Sequence, residues 1–180
     1  MPAITGFTLD QVRAATGSIV ADLFFGPPNF SITVNARPVL DAAERSHMVD
    51  VRTVLLAFGI VVAIAVVLLA AIVLPNRRSA WVWRAVGRGS GAVVAVGIGV
   101  GVAALLFLEA AFELFHLVFF PQGNFSFDPR TERLTQLSPD QFWIETSIGI
   151  ALFGLALAIL VTLAARRLAK KSEEAGLMEI

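Results

Sequence analysis

The chain reads as an all-α membrane protein: three transmembrane helices, an extracytoplasmic amino-terminal helical segment and an aromatic outer loop. Three observations predict this class. Of 180 residues, 57% are hydrophobic and only 16% are charged. Soluble domains run at roughly 45–50% and 25%, so a soluble fold of this composition would lack polar residues for its surface. Three long apolar runs occur, at Thr53–Leu74, from Gly91 to about Phe112, and from about Ile144 to Ala165. Each is about 22 residues, or roughly 33 Å as a helix, and matches a hydrocarbon core of roughly 30 Å. None contains Arg or Lys, and the mean hydropathy of the chain is +0.78.

The elements follow in order. Residues 1–52 form the extracytoplasmic segment. In it, Thr8-Leu9-Asp10-Gln11 has the pattern of a capping box that opens a helix. Val12, Ala15, Ile19 and Leu23 recur at helical spacing, and Phe24-Phe25-Gly26-Pro27-Pro28 ends the pattern. The stretch is amphipathic and too polar to span. No basic start and apolar run precede it as in a signal peptide. Either the first membrane helix inserts with its amino end outside, or an upstream helix belongs before Met1; the second arrangement is the one expected here. Pro38 suits a first helical turn, so a helix from about residue 38 would run straight into the first span.

Residues 53–166 form the three-helix membrane domain, with its outer loop at 113–141, and 167–180 form a cytoplasmic tail. Orientation follows from the basic residues in the short flanks. The 75–90 loop carries Arg77, Arg78, Arg84 and Arg88, and the tail region carries Arg166, Arg167, Lys170 and Lys171. The 113–141 loop has only Arg130 and Arg133, countered by Asp128, Glu132 and Asp140. The 75–90 loop and the tail are therefore cytoplasmic. Trp81 and Trp83 suit the inner interface and Trp143 the outer one. Within the second span, Gly97 and Gly101 form a GxxxG pair, which permits close helix approach. It serves packing within the bundle or, as the second choice, a homo-oligomer.

Several functions are excluded. The net charge is zero, so no bulk attraction to nucleic acid is expected. There are no cysteines, hence no disulfide, thiol nucleophile or thiolate metal site. The only histidines are His47 and His116. No HExxH or similar short spacing joins them, so neither a metal nor another cofactor is expected.

Both histidines fall at the outer interface by independent arguments. Glu44, His47 and Asp50 are spaced by three just before the first span. Glu109, Glu113 and His116 are spaced by four and three, so they share one helical face. An ionisable residue at the edge of the hydrocarbon, as Glu109 is, usually faces a cavity or a partner. A carboxylate one turn from a histidine also fixes its tautomer and raises its basicity. The loop Phe119-Phe120-Pro121-Gln122-Gly123-Asn124-Phe125-Ser126-Phe127-Asp128-Pro129 is aromatic and turn-rich. It suits an interfacial cover.

Two patches carry a family resemblance. One is Glu44-x-x-His47-Met48-x-Asp50-Val51 before a span. The other is His116-x-x-Phe119-Phe120, Asn124-Phe125-x-Phe127-Asp128-Pro129, Leu134 and Pro139-x-x-Phe142-Trp143 entering the last span. In order and spacing they resemble the bacterial lipoprotein intramolecular transacylases, integral enzymes of the bacterial cell membrane. The family often has Trp where Phe125 stands. It usually has four spans, so the resemblance implies a four-helix fold lacking its first span. It also implies the reaction: an acyl chain moves from the glycerol ester of a diacylglyceryl-cysteine lipoprotein to the α-amino group of that cysteine. The product is an N-acyl lyso-form lipoprotein. His47 and His116 are the implied acid–base pair, with Glu44, Asp50, Glu109, Glu113, Asn124 and Asp128 as supporting residues. Among these, Glu109 or Glu113 would orient His116, and Asn124 would polarise the ester carbonyl. The implied partners are the diacylated lipoprotein and membrane lipid. Two other readings compete: a non-enzymatic membrane module such as a transporter subunit or assembly scaffold, and an interfacial lipid-ester hydrolase using a His–Glu pair.

Overall fold

The computed structural model describes residues 5–178. It contains helices α1 (Leu9–Phe24), α2 (Ala42–Val73), α3 (Ala80–Leu106), α4 (Leu108–Phe119), α5 (Arg133–Leu137) and α6 (Asp140–Met178), with strands β1 (Thr33–Val34) and β2 (Arg37–Pro38) between α1 and α2. Three helices are long and apolar enough to cross a membrane: Ala42–Val73, Ala80–Leu106 and Gln141–Ala175. The chain divides into two compact units, Met1–Val61 with Ala110–Ile144, and Val62–Glu109 with Glu145–Ile180.

In the first unit, α1 opens as its sequence predicts. The Thr8 hydroxyl accepts from the Gln11 amide at 3.3 Å, and the Gln11 side chain accepts from the Thr8 amide at 2.9 Å. Val12, Ala15, Ile19 and Leu23 are its buried residues. They pack with Phe30, Val39, Leu40, Met48, Leu134 and Leu137 into one apolar core. Arg52 on α2 closes the far end of α1 by donating to the Asp22 carbonyl and, at 2.7 Å, to the Gly26 carbonyl. A side chain at Gly26 would strike Asp22, with Oδ1 2.2 Å and the backbone Cα 3.0 Å from its Cβ.

Two expectations are corrected. Pro38 does not open the first membrane helix. It lies in β2, paired with Thr33 across a tight hairpin, and the turn residues Asn35 and Ala36 have φ of 52° and 60°. That is the left-handed pair a two-residue hairpin needs, here formed without glycine. The helix starts at Ala42, because Asp41 and Glu44 form a reciprocal cap. Asp41 Oδ1 accepts from the Glu44 amide at 2.8 Å, and Glu44 Oε2 accepts from the Asp41 amide at 2.7 Å.

The second span is also not one helix to Phe112. α3 ends at Leu106, Phe107 leaves helical geometry at φ −126° and ψ 48°, and α4 begins at Leu108. No proline marks the break.

In the second unit, α3 and α6 meet at small residues. A Cβ on Gly87 would lie 3.5 Å from that of Ala165, and the Thr162 hydroxyl donates to Ser90 at 2.8 Å. Gly97 and Gly101 meet nothing within 4 Å. Close approach inside the chain, at Gly87 and Ser90, therefore falls about two to three turns earlier than the GxxxG pair.

Candidate active site

The first unit assembles a polar cluster at the head of α2. The cap at Asp41 and Glu44 fixes where α2 begins, and with it the direction in which residues 47 and 50 project. Two loop amides converge on Asp50 from more than seventy residues away. Asn124 Nδ2 donates to Asp50 Oδ2 at 2.7 Å, and Gln122 Nε2 donates to the same oxygen at 2.8 Å. A carboxylate only accepts, so the Asn124 amide is oriented with its nitrogen toward Asp50. Asn124 Oδ1 and His47 Nδ1 are the two buried side-chain atoms, among the described residues, without a hydrogen-bond partner.

His47 is 8% exposed and stands ahead of the apolar run that begins at Thr53. Burial pushes its pKa below the usual 6.5, and the charge on His116 pushes the same way. The Asn124 amide and the Asp50 carboxylate oppose both effects. Asn124 acts on the ring as a neighbouring dipole, since Oδ1 and Nδ1 fall outside hydrogen-bond geometry.

His116 comes to the same place on α4. The two imidazoles lie 6.3 Å apart between centroids, with planes 24° from parallel. Phe120, 3% exposed, touches both, at 4.9 Å from His47 and 5.5 Å from His116. Phe127 adds an edge against His47 at 5.4 Å, and Phe112 and Phe125 flank His116 at 4.0 and 4.8 Å. The His116 Nδ1 is 2.8 Å from the Phe112 carbonyl. A carbonyl accepts and cannot donate, so in the neutral ring Nδ1 carries the proton and Nε2 keeps its lone pair.

Of the residues singled out in the sequence, His47, His116, Asp50 and Asn124 are brought together. Glu44 is fully buried, and its two oxygens are taken by backbone amides. Besides capping α2, its Oε1 accepts from the Leu134 amide at 2.6 Å, tying α5 to the head of α2. Asp128 pairs with Arg130 at 3.2 Å and accepts from the Arg130 amide at 2.9 Å, which shapes the loop. Glu113 and Glu109 are exposed, and among the described residues neither makes a hydrogen bond or ion pair. The backbone of Phe112 holds the His116 nitrogen that a carboxylate was expected to hold. Glu109 belongs to the other compact unit.

Sequence reasoning placed Gln122 and Phe120 in the outer loop, and Phe120 in the family patch, but gave neither a place at the site. The first carries no signal beyond its place two residues from Asn124. The second sits four residues after His116, the helical spacing at which rings meet.

The family described as "Lipoprotein intramolecular transacylase Lit" matches the chain over residues 19–143, a stretch that includes all four clustered residues. No curated protein sequence matches the chain. Among solved structures, the membrane-integral lipoprotein intramolecular transacylase Lit from Bacillus cereus is similar, with a TM-score of 0.77 and 22% identity, over 96% of this chain and 79% of that one. That likeness shows a shared fold.

Proposed function

The chain belongs to the lipoprotein intramolecular transacylase family, and from that premise we propose that His47 and His116 catalyse an acyl shift within a diacylglyceryl-cysteine lipoprotein. Such an enzyme is an acyltransferase and a multi-pass membrane protein. The observation that carries the histidine assignment is their convergence. The chain's only two imidazoles share one wall, Phe120, beside an amide oriented by a carboxylate.

The chemistry balances without a covalent enzyme intermediate. The lipoprotein's α-amine, with an ordinary pKa of about 7.7–8.0, attacks an ester carbonyl on its own glycerol. A new C–N bond forms and the ester C–O bond breaks. One proton leaves the amine and one reaches the departing alkoxide, so the enzyme ends as it began. His116 Nε2, with its lone pair free, is the group we assign to take the amine proton. His47, held neutral by burial, completes the relay toward the alkoxide. The Asn124 amide, fixed by Asp50, stands next to the ring it must steady. Because nucleophile and ester belong to one molecule, holding them in register supplies much of the rate. The phenylalanine wall limits water, so the amine rather than hydroxide receives the acyl group. The charge count of the flanks supports an extracytoplasmic placement, facing the outer leaflet where such a lipoprotein is anchored.

The test is acyl migration on a diacylated lipopeptide, followed by mass spectrometry. His47→Ala and His116→Ala are each expected to lower the rate by about 10²–10⁴-fold, with the protein still folded. Intact migration in either variant would remove that histidine from the mechanism.

A further inference from the structure

We infer that a basic groove between α3 and α6, within the second unit, holds the headgroup of an anionic phospholipid. The groove has a volume of about 550 Å³, and its walls carry Arg84, Arg88, Arg166 and Lys170 against a single carboxylate, Glu173. Gly87 and Gly91 also line it. The small Gly87 lets α3 and α6 come close enough to bring the two basic faces together.

The charge arrangement needs an anion. Arg84 and Arg88 are four apart on α3, and Arg166 and Lys170 are four apart on α6. Each is a like-charge pair that destabilises its own helix face, and the groove sets one pair against the other. Glu173 answers Arg84 at 2.5 Å, and Glu174 approaches Lys170 at 3.8 Å. Among the described residues, Arg88 and Arg166 have no carboxylate partner.

The preference for basic residues on one side of a membrane accounts for their number but not for this convergence. Arg77, Arg78, Arg167 and Lys171 satisfy the same bias without lining the groove.

Position selects a lipid over a soluble anion. The groove extends from Trp83 to Gly91, where the apolar run of α3 begins. A phosphate held by Arg88 and Arg166 therefore lies at the border between charged flank and apolar span. Its acyl chains continue along a helix whose Val93 and Val96 are 62% and 64% exposed. Tryptophan at such a border is the ordinary interfacial anchor.

The experiment titrates the purified full chain, in neutral detergent, with phosphatidylglycerol or phosphatidylcholine and counts bound lipid by native mass spectrometry. Phosphatidylglycerol is expected to bind about tenfold or more tightly than phosphatidylcholine. This preference is expected to collapse by about tenfold or more in the double variant Arg88→Gln, Arg166→Gln. The double variant Arg77→Gln, Arg167→Gln removes the same charge from the same flanks and is expected to keep it. A variant with Arg88→Lys and Arg166→Lys keeps the charge and should retain most of the binding. Equal affinity for the two lipids in the parent chain overturns the inference. So does an equal loss in both glutamine variants, no loss in the groove variant, or displacement of phosphatidylglycerol by millimolar inorganic phosphate.

Discussion

In the unit that carries the two histidines, the inward face of α1, formed by Val12, Ala15, Ile19 and Leu23, is between 1% and 9% exposed. In the other unit, Ile98, Val100 and Val102 stand 49% to 63% exposed, and Ile150 and Phe153 stand 68% and 74% exposed. The residue types are similar; what covers them is not. The first unit builds a core from α1, Phe30, Val39, Leu40, Met48, Leu134 and Leu137 that its own chain covers, and ties down its polar groups through Asp50, Glu44 and Arg52. The second leaves most of its apolar side chains for lipid and holds α3 to α6 through glycine contact, one hydroxyl pair and the Arg84–Glu173 ion pair. A site that must hold two imidazoles to within a fraction of an ångström belongs where the protein supplies its own solvent.

The sharpest break of this contrast is a matched pair of truncations. Ile19→Ala, at a residue 5% exposed, is expected to cost about 2–5 kcal/mol of stability. Ile150→Ala, at 68% exposed, is expected to cost well under about 1 kcal/mol, because detergent or lipid fills the space in both states. Chemical unfolding in micelles reads both, and equal costs would dissolve the distinction.

A smaller effect sharpens it. Glu44→Gln keeps one acceptor oxygen for two backbone amides, those of Asp41 and Leu134. It is expected to cost about 1–3 kcal/mol through the amide left unpaired. Acyl transfer per folded molecule should stay near that of the parent chain, since backbone amides take both Glu44 oxygens. A fall in specific activity larger than the loss of folded protein would give Glu44 a direct part in the chemistry.

The finest effect is electrostatic. Proton resonances of the His47 ring are expected to titrate with a midpoint below 6.5, chiefly because the ring is buried. His116→Gln removes one lowering influence and should raise the midpoint, whereas Asp50→Asn removes a raising one and should lower it further. The unfolded chain then binds this proton more tightly than the folded one. The neutral ring's contribution to stability is therefore complete above about 6.5 and is lost as pH falls through the depressed midpoint. A midpoint that ignores both substitutions would place the three groups farther apart than the structure does.

Much of this was legible in the chain. The apolar runs marked the membrane helices, because a residue count of about 22 has few other uses. Thr8 and Gln11, and the spacing of Val12, Ala15, Ile19 and Leu23, announced α1, because caps and one-faced burial are local in sequence. What stayed hidden depended on distant partners. Phe107 breaks the second span with no proline to signal it. The Asn35–Ala36 turn lacks the glycine that usually betrays a hairpin. At the site, His47 and His116 stood out by scarcity. The carboxylate expected to orient His116 was instead a backbone carbonyl, which every residue carries and no spacing pattern reveals.

The cap at Asp41 and Glu44 has a consequence for how this site can be inherited or rebuilt. A helix turns by about 100° per residue, so one residue inserted between Glu44 and His47 would swing the imidazole and Asp50 off Asn124 together. The same glutamate grips the Leu134 amide, so the loop bearing Asn124 is tied at its far end to the starting point of that helix. Residues 41–50 and 116–134 thus form one transplantable cassette. Either half, moved alone into another membrane scaffold, would carry its histidine but lose its aim.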